Sequence, residues 1–203
     1  MIDDAEEPDD PRSQRILAAA VALAERGGFT EVRLRDVAQG SGVALGTLYK
    51  RFRSKEDLLV AVLGHQLGEL RARLEARPLG GDRRARLREI FGELTRFLCE
   101  RPHLGRAVIR SAAAGDAALA TRLAHFHGAL GELVLRALYR GQAGHARLAE
   151  IAMVSALQRV WFALLVGWAS GLHGEREVLE GVDAAAALML AGVDAAQLLA
   201  PQT

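Results

Sequence analysis

The sequence predicts an all-α fold of about nine helices. Ala, Leu, Arg and Glu dominate and aromatic residues make up only 5% of the chain. That composition favours helix nearly everywhere. Apolar residues recur at i, i+4 and i+7 spacing, with no alternating strand pattern longer than a few residues. Glycine and proline break the periodic stretches where helices should end.

The first ten residues, MIDDAEEPDD, read as a disordered acidic tail. Asp10-Pro11 opens the first helix, because Asp caps and Pro is favoured at the first helical position. It runs over about 12–26, with Ile16, Ala20 and Leu23 on one face, and Gly27-Gly28 stops it. Phe29 and Val32 are expected to be buried. A short helix over about 34–40 turns Leu34, Val37 and Ala38 inward before Gly40-Ser41-Gly42 breaks it. A second short helix covers about 45–51, with Leu48 and Phe52 inward. Two short helices joined by a tight Gly-containing turn form a helix-turn-helix pattern. Ser54-Lys55-Glu56-Asp57 has capping-box spacing and starts a long helix. Its Leu59, Leu63, Leu67, Leu70 and Leu74 share one face until Arg77-Pro78. The loop PLGGD, 78–82, is the expected hinge. Beyond it, helices are expected at about 83–101, 104–113, 116–140, 146–172 and 178–199. Pro102, Gly115, Gly141 with Gly144, and Gly174 mark their limits. Gly181 and Gly192 weaken the helix propensity of the last.

The net charge is +1, but the charge is unevenly placed. Residues 1–10 carry six acids and no base, residues 11–55 nine bases against three acids, and residues 56–203 a near balance of 17 and 16. The stretch SGVALGTLYKRFRSKEDLL, 41–59, holds the chain's only two lysines, Lys50 and Lys55, and one of its two tyrosines, Tyr49. A basic block on an otherwise neutral protein suits a polyanion at one end. A helix-turn-helix places its second helix in the major groove of double-stranded DNA, first residues nearest the base edges. The outward residues are then Ala44, Leu45, Thr47 and Lys50. Thr47 bonds a base or phosphate, Lys50 donates to guanine acceptors, and Ala44 and Leu45 pack on a thymine methyl. Gly46 leaves space for close backbone approach. Tyr49, Arg51 and Lys55 lie where the strand backbone passes, as phosphate contacts that position without reading sequence. The start of the long helix adds a positive dipole end there. Arg35 is a further phosphate or base contact.

Residues 12–59 closely resemble the DNA-binding domain of the tetracycline-repressor (TetR) family. The shared run reads Gly28-Phe29, Val37-Ala38, Gly42-Val43, Gly46-Thr47-Leu48-Tyr49, Phe52 and Ser54-Lys55-Glu56-Asp57-Leu58. Two positions depart from it. Arg33 stands where many members carry a Thr that caps the second helix and touches phosphate; Arg33 cannot cap but reaches phosphate. Arg51 stands where many carry an aromatic residue or His. The resemblance implies a homodimeric repressor on a palindromic operator, joined through the last two helices and released by a small molecule bound in the C-terminal domain. The chain then divides into the tail, 1–10, a DNA-binding domain, 11–55, and a ligand-binding and dimerisation domain, 56–203. Arg159-Val160-Trp161, Leu164-Leu165 and Trp168 are similar to repressors of sterol and lipid catabolism, which implies a small hydrophobic effector.

The helix expected at 146–172 is apolar nearly all round, with Leu157, Trp161, Leu164, Trp168 and Leu172 on one face. Such a helix must be buried against several partners, and a second copy would supply one of them. An apolar pocket between helices draws on Phe97, Leu104, Val108, Leu123, Phe126, Leu130, Leu157, Trp161 and Leu164, with His127 or Gln158 as polar handles. Plain core packing competes with ligand contact at each.

An enzyme would need a convergent nucleophile and base, and Ser155, Ser170 and the six histidines form no such set. His125 and His127 lie two apart on a helix and diverge, which argues against a metal pair. No cofactor is expected. The single Cys99 allows no internal disulfide, and the acidic start lacks a signal-peptide pattern, so the cytoplasm is the expected location. The longest apolar run, 160–169, is far shorter than the ~20 residues of a membrane span. The alternative to an effector-controlled repressor is a helical interaction module, or an activator without small-molecule control.

Overall fold

The computed structural model describes residues 11–77, 79–139 and 148–199, with side chains up to 195. Among these residues the regular structure is nine α-helices and two short 3-10 turns, with no strand, as the composition requires. The helices are α1 (Pro11–Gly27), α2 (Leu34–Ser41), α3 (Leu45–Arg51), α4 (Lys55–Ala76), α5 (Arg83–Cys99), α6 (Pro102–Ala112), α7 (Ala120–Leu138), α8 (Leu148–Ala169) and α9 (Glu175–Leu199). The acidic tail, Pro78 of the expected hinge and the expected break at Gly141 and Gly144 lie outside the described residues.

The chain packs as two compact units. One gathers the residues up to Gln66 with Arg101–Leu123, and the other gathers Leu67–Glu100 with the residues from Ala124 onward. The chain therefore passes between them within α4, at the α5–α6 junction and within α7, not at 78–82. These are divisions of packing, distinct from the functional division at residue 55.

In the first unit α1 buries Ile16, Leu17, Ala20, Leu23 and Ala24, the face its periodicity marks. Pro102 starts α6 at its first turn, and α6 packs on α1 and on the 3-10 turn Gly28–Thr30. Glu25 of α1 meets Arg101 at 3.0 Å. The capping box at 54–57 forms: Ser54 Oγ accepts the Asp57 N–H at 3.1 Å, and Asp57 Oδ2 accepts the Arg53 N–H at 3.0 Å. The α4 leucines Leu59, Leu63, Leu67 and Leu70 are buried as their spacing predicts.

The second unit is held by α5, α8 and α9. Trp161 lies in its core, edge-on to Phe91 with ring centroids 5.6 Å apart. The Trp161 indole N–H donates to Thr95 Oγ1 at 3.0 Å, and that hydroxyl donates to the Phe91 carbonyl at 2.6 Å. A buried indole and a buried hydroxyl thus satisfy each other. Gly181 explains its place inside α9: a Cβ there would sit 2.9 Å from Leu164 Cδ1, so only glycine lets α8 and α9 close at this point. α9 begins at 175 rather than 178, because Glu177 Oε2 reaches back to accept the Gly174 N–H at 3.0 Å. α8 ends at 169 rather than 172. Gly171, at φ +78°, closes a Schellman turn in which the Leu172 N–H bonds the Gly167 carbonyl at 2.9 Å and the Gly171 N–H bonds the Trp168 carbonyl at 3.0 Å. Leu172 consequently leaves the helix face expected for it and is 80% exposed.

By length and composition α8 is apolar enough to cross a membrane. Its buried residues include Glu150 and Gln158 beside Trp161, the pattern of a core helix in a folded domain.

α5 is tied to α9 by charge. Arg83 Nη2 meets both Asp194 oxygens at 2.5 and 2.6 Å, and Arg84 and Arg88 converge on Asp183 at 2.6 and 3.2 Å. The hydrogen bond from Arg84, then that from Arg88, holds the Asp183 carboxyl below its ordinary value of 3.8 against a desolvation penalty. A depressed carboxyl stabilises the fold above its unfolded pKa and loses that contribution as pH falls through the folded value. Asp183→Asn should therefore lower the urea midpoint at pH 7, and the gap from wild type should close as pH drops below about 4. A gap that persists unchanged into acid would show that the carboxylate charge is not what matters.

Candidate functional site

The basic end of the first unit is built around a short helix fixed from behind. Gly42 caps α2 in the left-handed region, at φ +66° and ψ 28°, which side chains rarely adopt. The Gly42 N–H bonds the Gln39 carbonyl at 3.3 Å and the Val43 N–H bonds the Ala38 carbonyl at 3.0 Å. This Schellman turn ends α2 and starts α3 three residues later. Leu48, at the middle of α3, is fully buried, and Phe52 at its C-cap is nearly so. The opposite face carries Ala44, Leu45, Gly46, Tyr49 and Lys50, all exposed, with Thr47 half-buried. Leu45 is 37% and Tyr49 53% exposed, unusual for large apolar side chains on a helix with a buried back. A Cβ added at Gly46 would meet nothing within 4 Å. The absence of a side chain there is thus not demanded by packing, and it keeps the backbone open to an approaching partner.

The flanking cations divide into two groups. Arg33 and Arg35 are exposed on and before α2; Arg33 sits at the N-cap with no capping side-chain bond, and Arg35 is 3.8 Å from Asp36. Arg51 and Lys55 are turned into the fold. Arg51 Nη1 donates to the buried Ser13 Oγ of α1. Lys55 Nζ donates to the Phe29 carbonyl at 3.2 Å and lies 3.8 Å from the Phe29 ring centre. Arg110 of α6 lies 4.3 Å from the same ring. Arg122, at the start of α7, pairs with Asp57 and stands 5.3 Å from the Phe52 ring.

A helix of two turns with a buried back, an exposed polar and apolar front and cations on its flanks has the form of a major-groove reading head. The family model for bacterial regulatory proteins of the tetR family matches residues 16–62, and the model for the tetracyclin repressor-like C-terminal domain matches residues 80–189. The chain belongs to the TetR family. It is similar to the HTH-type transcriptional repressor KstR of Mycolicibacterium smegmatis, 32% identical over 180 residues that span 88% of this chain and 87% of that one. It is 31% identical to KstR of Mycobacterium tuberculosis over 186 residues, 91% of this chain and 83% of that one. Among solved structures, a TetR transcriptional regulator from Rhodococcus sp. RHA1 superposes with a TM-score of 0.76 at 28% identity, covering 91% of this chain and 97% of that one. The chain is thus a TetR-family transcriptional repressor, a DNA-binding protein and not an enzyme, and it carries the family similarity to sterol- and lipid-catabolism repressors.

The residues expected to line an effector pocket do not all fall together. Leu104, Val108 and Leu123 belong to the first unit, whereas Phe97, Phe126, His127, Leu130, Leu157, Gln158, Trp161 and Leu164 belong to the second. Leu104, Val108, Leu130 and Leu157 are fully buried, Phe126 nearly so, and Phe97, Leu123 and Leu164 half-buried. The two polar handles hold each other. With the amide oriented to satisfy both its ends, Gln158 donates to His127 Nδ1 at 3.0 Å and to the His127 carbonyl at 3.2 Å, and its oxygen accepts the Gly131 N–H at 3.2 Å. His127 then accepts at Nδ1, which places its proton on Nε2. Trp161 has its only donor engaged by Thr95, so a ligand reaching it would meet the ring alone. Burial pushes the Cys99 thiol up to about 12, so at neutral pH it is a protonated small hydrophobe rather than a reactive thiolate.

Sequence reasoning missed Asp57, Arg122, Arg110 and Ser13 as supports of the reading head, and Thr95 as the partner of Trp161. Thr95 alone left a signal, a hydroxyl on the apolar face of a helix between Phe91 and Leu98.

The front and flank of the head should separate under mutation. Gly46→Ala should leave the melting temperature unchanged and weaken DNA binding; Lys50→Ala should cost about 1–3 kcal/mol on a specific site and relax its sequence preference. Lys55→Ala should instead lower thermal stability by removing its contacts to Phe29. Calorimetry alongside anisotropy titrations reads all three, and Lys55→Ala melting like wild type would return Lys55 to the phosphate contacts.

Proposed function

We propose that the protein is a homodimeric cytoplasmic repressor whose two α3 helices read the half-sites of a palindromic operator. In this reading residues 11–55 contact DNA and residues 56–203 dimerise and bind a small hydrophobic effector. The observation that carries the DNA assignment is the α3 front described above. Ala44, Leu45, Gly46, Thr47 and Lys50 face the bases, and Arg33, Arg35 and Tyr49 face the phosphates. Arg51 and Lys55 stand beside them with one contact each already made inside the fold. One head has too few base contacts for a unique genomic address, and a symmetric pair doubles them.

The surface of α9 supports dimerisation. Glu180, Ala184, Leu188, Ala191 and Ala195 are exposed at i, i+4, i+8, i+11 and i+15, and Leu188 is 76% exposed. Leu148, Ile151 and Ala152 are exposed at the start of α8. A stripe of small residues with single large apolar side chains suits close helix packing between copies, and an uncovered Leu on the surface is costly in water. Val182, Ala186 and Val193 of α9 are buried within their own chain and belong to its core, leaving Leu188 as the main apolar contact offered outward.

Effector control requires only that the ligand prefer one of two states of the dimer. The similarity to sterol- and lipid-catabolism repressors selects the probes: ring-fused sterol derivatives and long-chain acyl compounds.

A gel shift with the region upstream of the gene is expected to give a discrete complex at moderate salt, with a two-fold symmetric footprint, and an active probe should release it. No shift above nonspecific background would end this reading. Leu188→Glu should convert the dimer to a folded monomer by light scattering and weaken operator binding by at least about tenfold, since a monomer engages one half-site only. A variant that stays dimeric would move the interface away from the α9 stripe.

A further inference from the structure

The charge of the basic block is not neutralised by folding. Asp57 and Glu25 are taken by Arg122 and Arg101, cations from outside the block. Among the described residues Arg33, Lys50 and Arg53 are exposed and have no acidic partner. Six carboxylates stand in residues 1–10, without a single base. That segment ends where α1 begins, at Pro11. Two residues on, Ser13 Oγ is bonded by Arg51, the last residue of α3. The acidic segment is therefore rooted beside the C-terminal end of the reading helix. Ten residues reach at most roughly 33–36 Å, whereas a seven-residue helix is only about 10 Å long. The segment can reach any point on the α2–α3 face.

We propose that residues 1–10 are a built-in competitor for DNA phosphate. The acidic segment lies on the basic α2–α3 face in the free protein and is displaced when DNA binds. This rests on the assignment of α3 as the reading helix. A short tether holds the segment at an effective concentration in the millimolar range. Nonspecific binding is wholly electrostatic, so competition by carboxylates suppresses it fully. Base contacts add free energy that the segment cannot match, so the operator still displaces it. The device thereby widens the ratio of specific to nonspecific binding, the quantity that matters against a genome of competing sites. It also lowers the salt dependence, because cations already covered by the segment have released their counterions before DNA arrives.

The test uses the full chain with Asp3→Asn, Asp4→Asn, Glu6→Gln, Glu7→Gln, Asp9→Asn and Asp10→Asn together, titrated by anisotropy against a random-sequence duplex across a salt series. The neutralised variant should bind about 10-fold or more tighter at low salt, with a steeper slope of log Kd on log salt. A second variant removes the effect of net charge: the neutralised chain with MIDDAEEPDD appended after Thr203. It should keep the gain, because its acids are no longer rooted beside α3. Reversion of that variant to wild-type affinity would show a net-charge effect and overturn the proposal. Equal affinity and slope for wild type and the neutralised chain would overturn it too, while leaving the α3 assignment standing. If neither binds duplex at low salt, the α3 assignment fails and takes the proposal with it. Equal circular dichroism and melting of the three proteins confirm that only charge has changed.

Discussion

A seven-residue helix does not hold itself in water. Isolated helices shorter than about 12–15 residues are marginal even with favourable sequences, because nucleation costs more than two turns return. α3 has seven residues, no side-chain cap at its start and a glycine in its first turn. Its geometry must come from what grips its back and its ends. Leu48 anchors the middle, the left-handed Gly42 sets the entry and buried Phe52 sets the exit. Arg51 ties the last turn to Ser13 of α1. With the back held at four points, the front is available for contact without contributing to its own support. That is why Leu45 and Tyr49 can stay exposed and Gly46 can stay bare.

The exit is held by one carboxylate with several duties. Asp57 receives the Arg53 N–H, gives its own N–H to Ser54 and pairs with Arg122. It is 7% exposed. A carboxylate that buried needs a cation; leaving it unpaired costs about 3–5 kcal/mol when the site is fully closed, and less here because Arg122 is partly exposed. The Arg84 and Arg88 pairs to Asp183 are of another kind. They lie on the surface, where water competes with them and each contributes little. The same residue types thus fix the corner next to the reading helix and merely trim the α5–α9 contact, and burial decides between the two roles.

Local chemistry was legible in the sequence where it is closed within a few residues. The α3 limits of 45 and 51 follow from Gly42 before it and the capping box after it, and the structure has them at those residues. The end of α8 was misplaced for a reason of the same scale: Gly171 caps it, but Gly174 looked equally able to, so Leu172 was assigned to a face it does not share. The supports of the head were not legible at all. Arg122 reaches Asp57 across 65 residues, Trp161 reaches Thr95 across 66, and Arg84 reaches Asp183 across 99. Periodicity says that a residue faces inward. It does not say which helix it faces. The same gap explains why eleven apolar and polar pocket candidates, chosen by face, are distributed over two packing units.

The polar groups of the second unit constrain what an effector can be. The Trp161 indole is engaged by Thr95, and His127 and Gln158 are engaged by each other. A ligand that hydrogen-bonds any of them must first break a bond already made in a partly or wholly dry place. The net gain of such an exchange is small, since a typical protein hydrogen bond contributes only about 0.5–1.5 kcal/mol beyond what it replaces. Affinity must then come from apolar area at about 25 cal/mol per Å², supplied by side chains such as Phe97, Phe126 and Leu164. Selection by apolar fit is shallow, about 1–3 kcal/mol for each methylene gained or lost. A site of this kind distinguishes classes of hydrophobic molecule by size and shape and tolerates neighbours within a class, which suits a regulator that answers to a family of related lipids more than to one compound.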